Sequence, residues 1–316
     1  IIALASAAWS ATALTLNLDG ALRIVALTVL GAGFIVAFIA RSRARRAGWA
    51  VLGVGAVAVA LWYSTIEARE DRVWASDVSR GVKAKVEGDI VTLSDLRDFD
   101  WKTPDVAEQR WTTGRYDLNE LISLDMLTSV WDSPDIAHLL VSFGFSTGEH
   151  VVFSVEIRRE ADEEFSEIGG FFRQFEMVLI GATEQDIVKL RTNYREEEVR
   201  LFPINLTADQ RRTMFMSYVD LAMDLEKQPA FYNTISANCT TTVYKLAKTV
   251  KSDLPLEIHL VLSGHLPEYL LGLGVLGGEG TLDERSEAAL IAPVAQSLEN
   301  DTGFSATIRA KRPVSN

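Results

Sequence analysis

The chain has a single cysteine, Cys239, in the stretch FYNTISANCTTTVYKLAKTV at 231–250. Asn238 is a good helix N-cap, and Val243, Leu246 and Val250 form an apolar stripe at helical spacing. These features predict Cys239 in the first turn of a helix. Unpaired amides and the helix dipole stabilise a thiolate there, and the same amides suit an oxyanion. A thiol becomes a nucleophile when a base takes its proton and a third group orients that base.

The base and its partner are expected on one hairpin. IAHLLVSFGF and EHVVFSVEIRR are alternating runs separated by Ser146-Thr147-Gly148. A three-residue loop with glycine at its end joins strands well. It sets Phe145 against Glu149, Val141 against Phe153 and, at the open end, His138 against Glu156, with β-carbons about 5 Å apart. In this register Leu139, Val141, Phe143 and Phe145 share a wholly apolar face with Val151, Phe153, Val155 and Ile157. A slip of one residue would mix that face, so the pattern supports the register. His138, Ser142, Ser154, Glu156 and Arg158 fall on the other face. The expected roles are Cys239 as nucleophile, His138 as base and Glu156 as the carboxylate that orients the imidazole. A second reading of the same residues is a structural cysteine beneath the helix and a solvated His–Glu pair on the sheet.

Other residues offer less. His150 is expected to be exposed near the turn. His259 and His265 flank a Ser-Gly turn without further ligands at metal-site spacing, so no metal and no cofactor is expected. LGLGVLGGEG at 271–280 lacks the lysine of a nucleotide loop and reads as a plain loop. FFRQFE and RTNYREEE read as surface and hairpin positions, from which Arg173, Arg191 and Tyr194, together with Asn238, could contact a substrate.

The elements that must position these residues divide the chain in two. Apolar residues make up 48% of 316, and they crowd towards the start. Residues 1–16, 21–40 and 47–66 are apolar runs, interrupted by RSRARR at 41–46. Spanning a bilayer takes roughly 20 such residues, which the second and third runs supply and the first does not. Neither long run has a polar face, against a soluble helical hairpin. The arginine-rich loop should stay in the cytoplasm, so everything from Glu67 onwards lies across the membrane, with Trp62 and Tyr63 at the interface. Residues 1–66 carry five arginines against Asp19, a balance of +4. The chain's net −12 therefore leaves −16 on the other 250 residues, a charge that repels nucleic acid. One cysteine allows no intrachain disulfide, and an exported free thiol risks oxidation, which favours a working residue. The organisation read from the sequence is a membrane anchor of two to three helices at 1–66, a polar connector at 67–80 and one soluble domain at 81–316. Hairpins at 83–93 and 136–159, a strand at QFEMVLIG and helices at 183–190, 207–227 and 239–250 make the domain α+β with an antiparallel sheet.

Five blocks in order, SPDIAHLLVSFGF, VFSVEIRRE, GGFFRQFE, LRTNYR and FYNTISANCTTTV, resemble the Lnb-type family and its Lnb N-terminal periplasmic domain over roughly residues 80–310. The resemblance implies a lipoprotein N-acyltransferase with Cys239 and His138 at its centre. The His-before-Cys order and the Asn-Cys pair are also similar to circularly permuted papain-like enzymes of the lecithin:retinol acyltransferase kind, which carry acyl chains on a thioester. The expectation is a bacterial inner-membrane, multi-pass protein whose periplasmic domain moves an acyl chain from phospholipid to an amine, such as a lipoprotein N-terminus. A thiol hydrolase acting on cell-wall peptide or phospholipid, and a tethered binding domain, are the alternatives.

Overall fold

A computed structural model of the chain describes residues 1–298 and 303–310; the last expected domain residues, 311–316, lie outside them. Three helices come first: α1 (Ile2–Asn17), α2 (Gly20–Arg43) and α3 (Arg45–Ser64). The most apolar 18-residue windows of α2 and α3 have mean hydropathy 2.4 and 1.6, and 6% of each is buried. Apolar helices left this bare within their own chain suit lipid rather than water. The first helix is shorter, at 16 residues. At the turn between α2 and α3 the backbones nearly touch: a Cβ on Gly48 would lie 2.6 Å from the Arg41 Cβ and 2.8 Å from the Ala37 carbonyl oxygen. Glycine is what permits that approach.

The rest of the chain is built on an eight-stranded, largely antiparallel sheet. Its strands are β1 (Lys83–Glu87), β2 (Ile90–Arg97), β5 (Trp111–Asp117), β6 (Leu121–Val130), β7 (His138–Phe145), β8 (His150–Arg158), β9 (Glu176–Ala182) and β10 (Glu198–Pro203), while β3 (Asp100–Trp101) and β4 (Ala107–Glu108) pair separately. The main order is β1-β2-β9-β8-β7-β6-β10, with β5 beside β2. A single parallel pair, Arg97 with Ala182, joins β2 to β9. The helices are α4 (Glu184–Lys189), α5 (Ala208–Lys227), α6 (Cys239–Val250), α7 (Leu266–Gly272), α8 (Leu282–Ala288), α9 (Ala292–Gln296) and α10 (Phe304–Ala310).

The central hairpin has the register its sequence pattern requires. Val141 pairs with Phe153, Leu140 with Ser154 and Phe143 with Val151. Its odd-numbered face carries Phe143, Phe153 and Val155 into a core shared with Phe215, Tyr218 and Val219 of α5, against which α6 packs. Phe153 stacks on Tyr218 at 4.9 Å and Phe143 meets Phe215 edge-on at 5.1 Å. The even-numbered face is buried as well. Leu140 and Val152 pack there with Ile187 and Val188 of α4, Ala295 of α9 and Ile308 of α10. Its polar side chains are therefore not solvated; each has a partner instead, as buried polar groups require. Residues 67–80 join this layer: Ala75 and Val78 are buried, and the Arg69 amide donates to Glu176 Oε1 at 2.9 Å.

Candidate active site

Three pieces of chain meet at the open end of the hairpin. His138 is the first residue of β7, Glu156 stands near the end of β8, and Cys239 is the first residue of α6. The helix starts where it does because Asn238 caps it: Oδ1 accepts from the amides of Thr240 (3.0 Å) and Thr241 (2.8 Å), and Thr241 Oγ1 accepts from the Asn238 amide in return. Asn238 Nδ2 donates to the Thr234 carbonyl at 2.6 Å. Its side chain thus holds the Cys239 turn.

The hydrogen bonds assign the imidazole tautomer. His138 Nε2 lies 3.0 Å from Glu156 Oε1 and 2.7 Å from Ser154 Oγ. Ser154 has one hydroxyl proton, and it goes to Glu156 Oε1 at 2.7 Å. Ser154 must then accept from the imidazole, so Nε2 carries a proton and Nδ1 is left to exchange one with a thiol. The Cys239 thiol lies near enough to that ring for the two charges to act on each other, and its sulfur is 3.8 Å from the Thr240 hydroxyl. Burial disfavours charge on every member, but the partners outweigh it. Glu156 and the thiol push His138 up to about 9. Glu156 is held far below the usual carboxylate range by His138 and Arg191. His138 and the Leu139 amide bring the Cys239 thiol down. A raised imidazole beside a lowered thiol is the electrostatic setting of a thiolate–imidazolium pair.

Arg191 belongs to this network rather than to a substrate surface. It is 5% exposed, in a π-helical turn after α4, and bridges Glu156 Oε1 (3.3 Å) and Glu197 Oε2 (3.0 Å). Glu197 also accepts from Ser129, which pairs with His138 across β6 and β7. The other two candidate contacts lie elsewhere. Tyr194 packs with Phe99, Trp101 and Leu190. Arg173 donates to the carbonyls of Tyr63 (3.0 Å) and Ile66 (3.1 Å), so it clamps the end of α3 onto the domain. His150 is half-buried rather than exposed. His259 pairs with Glu257 and His265 with Asp135, and no metal-ligand group occurs among the described residues.

Sequence reasoning missed two tyrosines. The Tyr232 hydroxyl lies close enough to Cys239 to feel its charge, and its ionisation is pushed up by burial and by that charge. The Tyr218 hydroxyl, fully buried on α5, feels the Cys239 charge and has no hydrogen-bond partner. Neither spacing to Cys239 carries a signal, whereas Ser154, two residues before Glu156 on the same face, was within reach.

Next to the chain neighbours of the pair lies an apolar pocket with a cavity volume of about 160 Å³, partly open to solvent. Leu139, next to His138, and Thr240, next to Cys239, form part of its wall, with Met126, Val243, Leu260 and Leu266. Residues 107–264 match the family of the Lnb N-terminal periplasmic domain. The chain belongs to this family. The matched stretch holds Cys239, His138, Glu156, Ser154 and Arg191, and stops short of α7 to α10. No curated protein and no solved structure matches the chain. A periplasmic domain of the Lnb family behind two long apolar helices fits a membrane-anchored protein.

Proposed function

We propose that this Lnb-family chain is a thiol acyltransferase of the bacterial inner membrane, multi-pass, with a permuted papain-like site in the periplasm. The observation that carries the reading is the apolar pocket, which reaches the chain neighbours of both His138 and Cys239. A thiol site serving a polar peptide has no use for such a pocket, while an acyl chain needs one. The Cys239 thiolate attacks the ester carbonyl of a membrane phospholipid. The oxyanion forms at the positive end of the α6 dipole, which favours negative charge there, while the Thr240 and Thr241 amides stay on Asn238. The protonated His138 passes its proton to the departing alcohol oxygen as the C–O bond breaks, leaving a thioester and a lysophospholipid. An amine, such as a lipoprotein N-terminus, then attacks the thioester. His138 takes the amine proton, the C–S bond breaks, and an amide and the thiolate result. Glu156 and Arg191 hold the imidazole throughout. Anchoring keeps both lipid substrates at high local concentration.

Mass spectrometry of Cys239 after incubation of the full chain with phospholipid vesicles tests the reading. An acyl adduct that a primary amine removes with amide formation is expected. Free fatty acid in place of amide would make the protein a hydrolase, and an unmodified thiol with no turnover would make it a binding domain.

A further inference from the structure

Two loops enclose the start of α6, and both leave large apolar side chains bare. Phe165, Ile168 and Phe171, between β8 and β9, are 62%, 60% and 42% exposed, and Ile235, between α5 and α6, is 56% exposed. The loops are fastened together. Thr234 Oγ1 donates to the Glu167 carbonyl at 2.9 Å, and a Cβ on Gly170 would lie 2.3 Å from Thr234 Oγ1. One side of the pair is joined to the anchor: Trp9 of α1 lies 5.7 Å from Phe172, Asn17 Nδ2 donates to the Phe172 carbonyl at 2.8 Å, and Arg173 holds the end of α3. The other side is joined to the nucleophile, since the Thr234 carbonyl accepts from Asn238, the cap of the Cys239 helix. Contacts therefore run without a break from the apolar helices to Cys239, and the bare side chains lie along that path.

We propose that these two loops form a collar that enters the lipid interface, with Phe165, Ile168, Phe171 and Ile235 in the bilayer surface and Cys239 held at headgroup depth. The occupant is the bilayer because the patch is continuous with α1 and the end of α3, where Trp9, Trp62 and Tyr63 cluster as interfacial aromatics do. Exposed apolar groups confined to a membrane surface gain by burial in it. Asp162, Glu164 and Glu167 are exposed among them, so the contact is apolar and gains nothing from anionic lipid. The proposal rests on α2 and α3 being membrane-embedded, and it does not depend on the acyl-transfer chemistry.

The test uses the full chain with Cys239→Ala, reconstituted in phosphatidylcholine nanodiscs, with one new cysteine carrying an environment-sensitive fluorophore. Ile168→Cys and Ile235→Cys report the collar, Val29→Cys reports α2, and Thr147→Cys reports the far hairpin turn. The expected result is blue-shifted emission at 168 and 235 that doxyl-labelled lipid quenches, as at 29, with no shift or quenching at 147. Adding phosphatidylglycerol should leave the quenching unchanged. Quenching at 29 alone would overturn the collar and leave the anchor standing. A blue shift at 168 without quenching would mean that protein, such as a second copy, covers the patch, and would overturn the proposal too. Absence of quenching at all four positions would overturn both the anchor and the collar.

Discussion

Two buried charge clusters lie against one face of the hairpin of β7 and β8, and only one of them can trade a proton. Towards the turn, Arg309 of α10 donates to Asp125 Oδ2 at 2.8 Å and Glu184 Oε1 at 2.6 Å, while Ser142 donates to Glu184 at 2.6 Å. Burial opposes both charges, yet the pairing drives Arg309 further up and Glu184 further down. Each group moves away from neutral pH, so the cluster is a clasp that fastens the C-terminal helix to the sheet. At the open end the directions are the same, base up and acid down, but the groups are an imidazole and a thiol: His138 rises to about 9 and Cys239 falls, so one proton has two places to reside. Burying charge is common in this fold; chemistry is confined to the cluster whose members can trade a proton.

Breaking the open cluster should have the largest effect. Cys239→Ala and Cys239→Ser are both expected to abolish acyl transfer with little loss of stability, because a hydroxyl ionises far less readily than a thiol; thermal melts and turnover assays check this together. Glu156→Gln should cost on the order of 10- to 1000-fold in turnover, since it removes an orienting charge and leaves the nucleophile. Breaking the clasp should act on stability alone. Arg309→Ala leaves Glu184 and Asp125 buried without that cation and should cost about 3 kcal/mol in denaturant melts, with the reactivity of Cys239 in the folded protein unchanged. A changed reactivity would mean the two clusters are coupled along the hairpin. The smallest expected effect is that of Asn238→Ala, about 1 kcal/mol for a lost helix cap, with partial loss of Cys239 reactivity as the first turn frays.

How much of this the sequence showed depended on distance along the chain. The period-two alternation placed Val141 opposite Phe153 and so brought His138 to Glu156, and Asn238 announced the turn that holds Cys239. These are local signals. Arg191 stood out only as a candidate substrate contact and Glu197 not at all, because the link from Arg191 to His138 runs through Glu156, 35 residues away in sequence. What covers the polar face of the hairpin was only partly legible: the helix expected at 183–190 is α4, while α9 and α10, of 5 and 7 residues, are too short for a clear apolar period. Arg173 looked like an anion contact, yet its partners are backbone carbonyls at the end of the anchor, which no spacing reveals.

The most direct test of the thiolate–imidazolium pair is the pH dependence of Cys239 alkylation by iodoacetamide, in the parent and in His138→Ala, with Cys239→Ala as the blank. In the parent the reaction should already be fast well below the ordinary thiol value of about 8.5. Because His138 titrates near 9 when folded and near 6.5 when unfolded, its favourable charge is present below about 6.5 and is lost as pH rises through about 9. Acyl transfer depends on the folded imidazolium alone, so it should fall as pH rises through about 9. His138→Ala should move the alkylation midpoint upwards. A parent midpoint at about 8.5 that His138→Ala leaves in place would contradict the account and make Cys239 a bystander.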